Sequence, residues 1–192
     1  MLQLLATSLL TSALSHVPLL LDARCDAAEY AGAARQDLGG GVSLQARHDS
    51  HYLVLCLSLP PDSFGSLDLY VRGADGALHN LHVSAQIGER TRGPGGWPAW
   101  RFGNAQGWYG PPVAFRGLAT DASGRARADF TPSAARELQL PRARFGPGPW
   151  RVRVELNALG AGNTSLVFPA GSTDADPAGW ARLHFAGGRI GA

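Results

Sequence analysis

No lysine occurs in this chain of 192 residues, so its 17 basic side chains are all arginine. They are spread from Arg24 to Arg189 without a dense run, and the formal net charge is only +2. Such a balance leaves no electrostatic footprint for nucleic acid, which is not expected as a partner. The lysine-free usage reflects a GC-rich coding bias. Methionine occurs once, at Met1, and cysteine twice, at Cys25 and Cys56. Two thiols make no zinc site of recognisable spacing. Catalytic signatures are missing as well: there is no G-x-S-x-G, no H-E-x-x-H and no phosphate-cradling loop, and the glycine run at 39–41 opens a strand instead of capping a helix. Long hydrophobic runs are also scarce. The apolar N-terminal stretch is broken by Thr, Ser, His and Pro, and no later segment is apolar for long enough to suggest a spanning helix.

What is present is punctuation and alternation. Hydrophobic residues make up 45% of the chain and charged ones 17%, which is ordinary for a folded protein, and the length suits one domain with a full core. The 25 glycines and 13 prolines favour an all-β sandwich or barrel over a helical bundle. Residues 1–15 have the apolar character of a secretory leader but lack a basic n-region. The competing reading is a buried first strand around Val17 to Leu21, and both can hold in part. With a leader, residues 16–192 form the domain and the protein is periplasmic or secreted. The even cysteine count allows either one disulfide or two buried thiols.

Strands are expected where apolar residues alternate. They include 41–47 with one wet face, the fully apolar run 52–59, and 66–72 paired through the Ala74–Gly76 turn with 78–88 as an antiparallel hairpin. Residues 113–118 and 125–130 are further short strands, 134–138 a helical turn, 150–156 a strand with one wet face, and 180–185 a closing strand. In the 78–88 strand, Asn80, His82, Ser84 and Gln86 fall on one side and Leu81, Val83, Ala85 and Ile87 on the other. Glu89 and Arg90 follow, and then a Gly/Pro-rich stretch carrying Trp97, Trp100, Trp108 and Tyr109. Flat apolar plates beside amide, imidazole and guanidinium groups are what a sugar-binding surface needs. Each part has a structural alternative. The tryptophans can close one end of the sandwich as core, and the polar row can be a solvated sheet face.

The opening LDARCDAAEY, the strand-rich body, the LDLYV around Asp68 and the aromatic loop together resemble the DOMON-like β-sandwiches, most of all family nine carbohydrate-binding modules and their bacterial relatives. That family begins with Asp-Gly, an acidic residue and an aromatic. Asp22, Asp26, Glu29 and Tyr30 fit, while Ala23 replaces the glycine. The resemblance implies a single antiparallel sandwich of jelly-roll or DOMON-like type in which aromatics clamp a sugar and polar neighbours bind its hydroxyls. It implies no obligatory cofactor. Some relatives bind calcium, for which Asp22, Asp26 and Glu29 are the matching carboxylates. Others bind haem through Met and His. Met1 is the sole methionine, so only a pair such as His82 and His184 would remain.

The sequence thus points to an exported, non-catalytic glycan-binding domain. The expected ligand-binding residues are Asn80, His82, Gln86, Glu89, Arg90, Trp97, Trp100 and Trp108. Two other functions compete with it. One is a glycan-acting hydrolase using Glu89 with a distant carboxylate such as Asp68, Asp129 or Glu155. The other is a structural or partner-binding domain of the cell envelope.

Overall fold

A computed structural model describes residues 8–15, 19–103 and 106–186. Its strands are β1 (Leu9–Leu14), β2 (Gln36–Gly39), β3 (Val42–His48), β4 (Tyr52–Ser58), β5 (Ser66–Arg72), β6 (Leu78–Val83) and β7 (Ile87–Thr91). They continue with β8 (Arg101–Phe102), β9 (Phe115–Thr120), β10 (Ala126–Phe130), β11 (Ala135–Pro141), β12 (Trp150–Leu159), β13 (Thr164–Phe168) and β14 (Ala181–Phe185). One helical turn, α1 (Arg142–Phe145), follows β11. The result is a single β-sandwich.

One layer runs β11-β4-β3, with β2 also on β3, and the other runs β14-β12-β5-β6-β7-β8, with β13 on β12. β1 joins them. Leu9 to Ser12 pair in parallel with Arg182 to Phe185, and Ala13 and Leu14 pair in parallel with Arg47 and His48. β1 therefore occupies part of the segment expected as a leader, whose residues 1–7 lie outside the described residues. The alternative first strand at 17–21 is not formed at 19–21, and Val17 lies outside the described residues.

Alternation builds the core between the layers. Leu67, Leu69 and Val71 of β5 point inward beside Val152, Val154 and Leu156 of β12 and Leu81 and Val83 of β6, and all are at most 1% exposed. Leu53, Leu55 and Leu57 of β4 and Leu138 and Leu140 of β11 face them from the other layer. Each such side chain contributes about 1.5–3 kcal/mol through burial.

The structure corrects several local expectations. The 78–88 strand ends at Val83, because the Ser84 hydroxyl bonds the Gln86 backbone and turns the chain into β7. Residues 134–138 are not a helical turn: from Ala135 they belong to β11, held along its full length by β4. β3 lacks the wet face its alternation suggests, since Ser43 and Arg47 are buried under irregular chain, while on β12 only Arg153 is covered and Arg151 and Glu155 stay half-buried.

For β3 and β4, that chain is the segment 19–35, which packs Tyr30, Leu19, Leu21 and Ala33 on Val54, Cys56 and Ala135. A disulfide joins Cys25 to Cys56 across a Cα separation of 5.7 Å. The buried Glu137 carboxylate accepts from the Asp22 and Ala23 backbone N–H groups, both at 2.9 Å, and from the Tyr30 hydroxyl at 2.7 Å. Arg47 donates to the carbonyls of Leu14, Glu29 and Ala31. Ala23, standing where the family pattern has glycine, adopts a φ of 62°.

Candidate functional site

On the outer face of the second layer, the register places Tyr70 of β5, Asn80 of β6 and Arg90 of β7 side by side across three strands. The chain between β7 and β8 folds back over this row. Trp97 meets Tyr70 edge-on at 5.6 Å, and the Arg90 guanidinium carbon lies 5.1 Å from the Trp97 ring and 4.2 Å from the Trp100 ring. Trp180, which precedes β14, closes the far side at 5.9 Å from Tyr70. Arg153 of β12 stacks on Tyr70 at 4.7 Å and is ion-paired with Glu155 at 2.8 Å. His82 accompanies the row, with Nδ1 3.1 Å from Asp68, Nε2 2.9 Å from Ser84 Oγ, and its ring 5.1 Å from Trp100. Burial, and then the Asp68 charge, raise the Tyr70 pKa, so the phenol stays protonated.

The row is poorly satisfied. Asn80 is fully buried, yet neither its amide nitrogen nor its amide oxygen has a hydrogen-bond partner among the described residues. Arg90 Nε and Trp97 Nε1 are likewise buried and unpartnered. A buried polar group left without a partner costs about 1–3 kcal/mol. Four such atoms lie in this one patch, and three more, Glu29 Oε2, Ser43 Oγ and Arg47 Nε, lie under the 19–35 segment.

The structure divides the expected site residues. Asn80, His82, Arg90, Trp97 and Trp100 are brought together. Gln86 lies in the exposed turn after β6. Glu89 and Trp108 face the opposite side of the sheet. Glu89 shares the inward face of Ile87, and its buried carboxylate accepts from Trp108 Nε1 at 2.9 Å, from Arg101 at 2.8 Å and from Arg144 at 2.8 Å. Trp108 is 0% exposed and anchors the core. This carboxylate is thus engaged by three donors on the inward side of the sheet, away from the Asn80 row. Asp68, Asp129 and Glu155 are each engaged by His82, Arg116 and Arg153.

The residues that sequence reasoning left out of the site are Tyr70, Arg153 and Trp180. The first two were detectable by extending the outward alternation of Asn80 to the neighbouring strands. Trp180, which no alternation reaches, was not.

Among the described residues no group of three or more His, Cys, Asp or Glu side chains is gathered to hold a metal ion. Asp22 caps the Arg24 N–H and Glu29 accepts from Leu20 N–H, so both are engaged in the turn they belong to. His82 and His184 sit on β6 and β14, three strand intervals apart.

No protein-family model matches the chain, and no curated protein matches it in sequence. Among solved structures it is similar to a candidate carbohydrate-binding protein from Bacteroides uniformis, with a TM-score of 0.55 at 9% identity, covering 94% of this chain and 100% of that one. Also similar are two structures of a family nine carbohydrate-binding module from Caldicellulosiruptor kristjanssonii. One, in complex with glucose, has a TM-score of 0.49 at 9% identity over 95% of this chain and 98% of that one. The other, in complex with cellotriose, has a TM-score of 0.49 at 8% identity over 91% and 93%. The Bacteroides likeness shows a shared sandwich fold.

Proposed function

We propose that this protein is an exported, non-catalytic carbohydrate-recognition domain that binds sugar on the outer face formed by Asn80, His82, Arg90, Trp97 and Trp100. The observation that carries the reading is the buried, wholly unpartnered Asn80 amide beneath an aromatic cover. An amide offers a donor and an acceptor at once, the pair that adjacent sugar hydroxyls require. The indoles and Tyr70 supply apolar area against which a sugar ring is desolvated. The Bacteroides fold-mate named for carbohydrate binding supports this reading by fold analogy. The disulfide supports an oxidising compartment.

Titration with a panel of oligosaccharides, read by tryptophan fluorescence, tests the proposal. A saturable change is expected, and it should vanish in Asn80→Leu and weaken in Trp100→Ala while both variants keep the wild-type circular dichroism. No saturable response to any glycan, or a response that Asn80→Leu leaves intact, would sink the reading.

A further inference from the structure

We infer that a recess at the Tyr52 end of the first layer is a second saccharide site, for an uncharged sugar; this rests on the carbohydrate reading above but not on the Asn80 face. Tyr52 opens β4 and continues its outward row of Val54 and Cys56. The 19–35 segment packs on those two, whereas Tyr52 lies outside that cluster and stays 37% exposed. Beside it is an open recess of about 440 Å³, in the size range of small-molecule sites. Its walls include Ser50, His51, Tyr52, Pro141, Arg142 and Pro147.

The polar wall is held in place. The Arg142 backbone N–H donates to the His51 carbonyl at 2.7 Å, its guanidinium carbon lies 4.6 Å from the Phe185 ring, and Nη1 donates to the Asp49 carbonyl. Nη2 has no hydrogen-bond partner among the described residues, and neither do the Ser50 hydroxyl, the His51 imidazole and the Tyr52 hydroxyl. The Asp49 carboxylate accepts from the His51 and Tyr52 backbone N–H groups at 2.7 and 2.6 Å, which fixes the turn carrying Ser50 and His51. Asp49 and Arg142 also act on His48 with opposite signs, so the two charges offset each other here.

A neutral saccharide matches this arrangement on both of its surfaces. The Tyr52 ring and the two prolines offer apolar area to the C–H face of a sugar ring. The Nη2 donors, the imidazole and the two hydroxyls then meet sugar hydroxyls, each of which donates and accepts. A wholly apolar ligand would strip water from these groups and return nothing, and an acidic one would find no excess positive charge.

The test is titration of the full chain with neutral gluco-, xylo- and galacto-oligosaccharides, followed by backbone amide NMR shifts. No tryptophan lines the recess, so this readout is separate from the fluorescence response of the Asn80 face. A neutral sugar should shift the amides of 50–52 and 142–146 saturably, alike in the wild type and in Asn80→Leu. Tyr52→Ala should weaken that response roughly tenfold or more and leave the fluorescence response intact. Arg142→Gln should act in the same direction, and Tyr52→Ala, at an exposed side chain, keeps the test valid should the arginine variant fail to fold. Oligogalacturonate of equal length should bind the recess no tighter than the neutral sugar.

Shifts confined to the Asn80 face, or shifts at 50–52 that Tyr52→Ala leaves unchanged, would overturn the second site and leave the carbohydrate reading intact. Tighter binding of oligogalacturonate in the recess would overturn its assignment to an uncharged sugar. Saturable shifts in the recess with a silent Asn80 face would support this site and sink the other. If no saccharide binds, both readings fall.

Discussion

Each layer of the sandwich has irregular chain lying on its outer face, and the two covers are fastened in different ways. Over β3 and β4, the segment 19–35 is tied by a disulfide, and the buried Glu137 beneath it has three donors. Over β5, β6 and β7, the segment 92–101 lays Trp97 and Trp100 on the sheet. There the buried Asn80 amide has no partner, and Arg90 no counter-ion, among the described residues. Burial of polar groups is common to both faces. Incomplete bonding is common to both as well, since Glu29 Oε2, Ser43 Oγ and Arg47 Nε under the first cover have no partner among the described residues; the difference is that the first cover is pinned by a disulfide and a three-donor carboxylate, whereas under the second a whole side-chain amide is left over.

The sharpest way to break this comparison is to remove the acceptor from the sealed face. Glu137→Ala strands the Tyr30 hydroxyl and two backbone N–H groups, and should cost roughly 3–5 kcal/mol in urea unfolding. A loss below about 1 kcal/mol would mean the strap is not held by this carboxylate. Reducing the disulfide, or replacing both cysteines by alanine, should cost about 3–4 kcal/mol, the loop-closure value for a sequence separation of 31 residues. On the open face the sign reverses. Asn80→Leu replaces an unsatisfied amide with an apolar group of similar size and should gain about 1 kcal/mol of stability while abolishing binding. Destabilisation there would show that Asn80 is satisfied in solution.

Much of this contrast was legible in the sequence, and the part that was not is instructive. Period-two alternation placed Leu81 and Val83 against the core and Asn80 and His82 on the outer face. The Ser66–Arg72 hairpin followed from its turn chemistry. The same alternation was less informative about exposure. It makes Ser43, Arg47 and Arg153 outward-facing, and they are, but irregular chain far away in sequence lies over them. Glu89 and Trp108 look like neighbours of the polar row because they are close in the chain. The turn at Ser84 and the inward direction of β7 carry them to the opposite side of the sheet. Hydrophobic pattern reports which face a residue is on, and only tertiary structure reports what covers that face.

Smaller effects refine the picture. Ala23→Gly relieves a left-handed alanine in the strap and should raise stability by about 0.5 kcal/mol, detectable as a shift in the urea midpoint. Acidification should act weakly through His48 and His79, both held below their ordinary pKa first by burial and then by nearby Arg142 and Arg144. A depressed histidine contributes stability that is present above its unfolded value of about 6.5 and lost as pH falls through the folded value. The urea midpoint should therefore decline gently below that pH, and the decline should flatten when both histidines are replaced by asparagine. An unchanged slope in the double variant would assign it to other groups.

The strand shared by the two layers also sets the order in which the molecule can be completed. β1 precedes every other strand described, yet Leu10 pairs with Leu183, so its principal ladder partner leaves the ribosome more than 170 residues later. At ordinary elongation rates that interval is roughly ten to thirty seconds. Until it ends, the first and last layers of the sandwich cannot be joined, and an apolar strand edge waits without a neighbour. Closure of this fold is therefore a late, long-range event, set by the arrival of β14 and not by the rapid local pairing of β5 with β6.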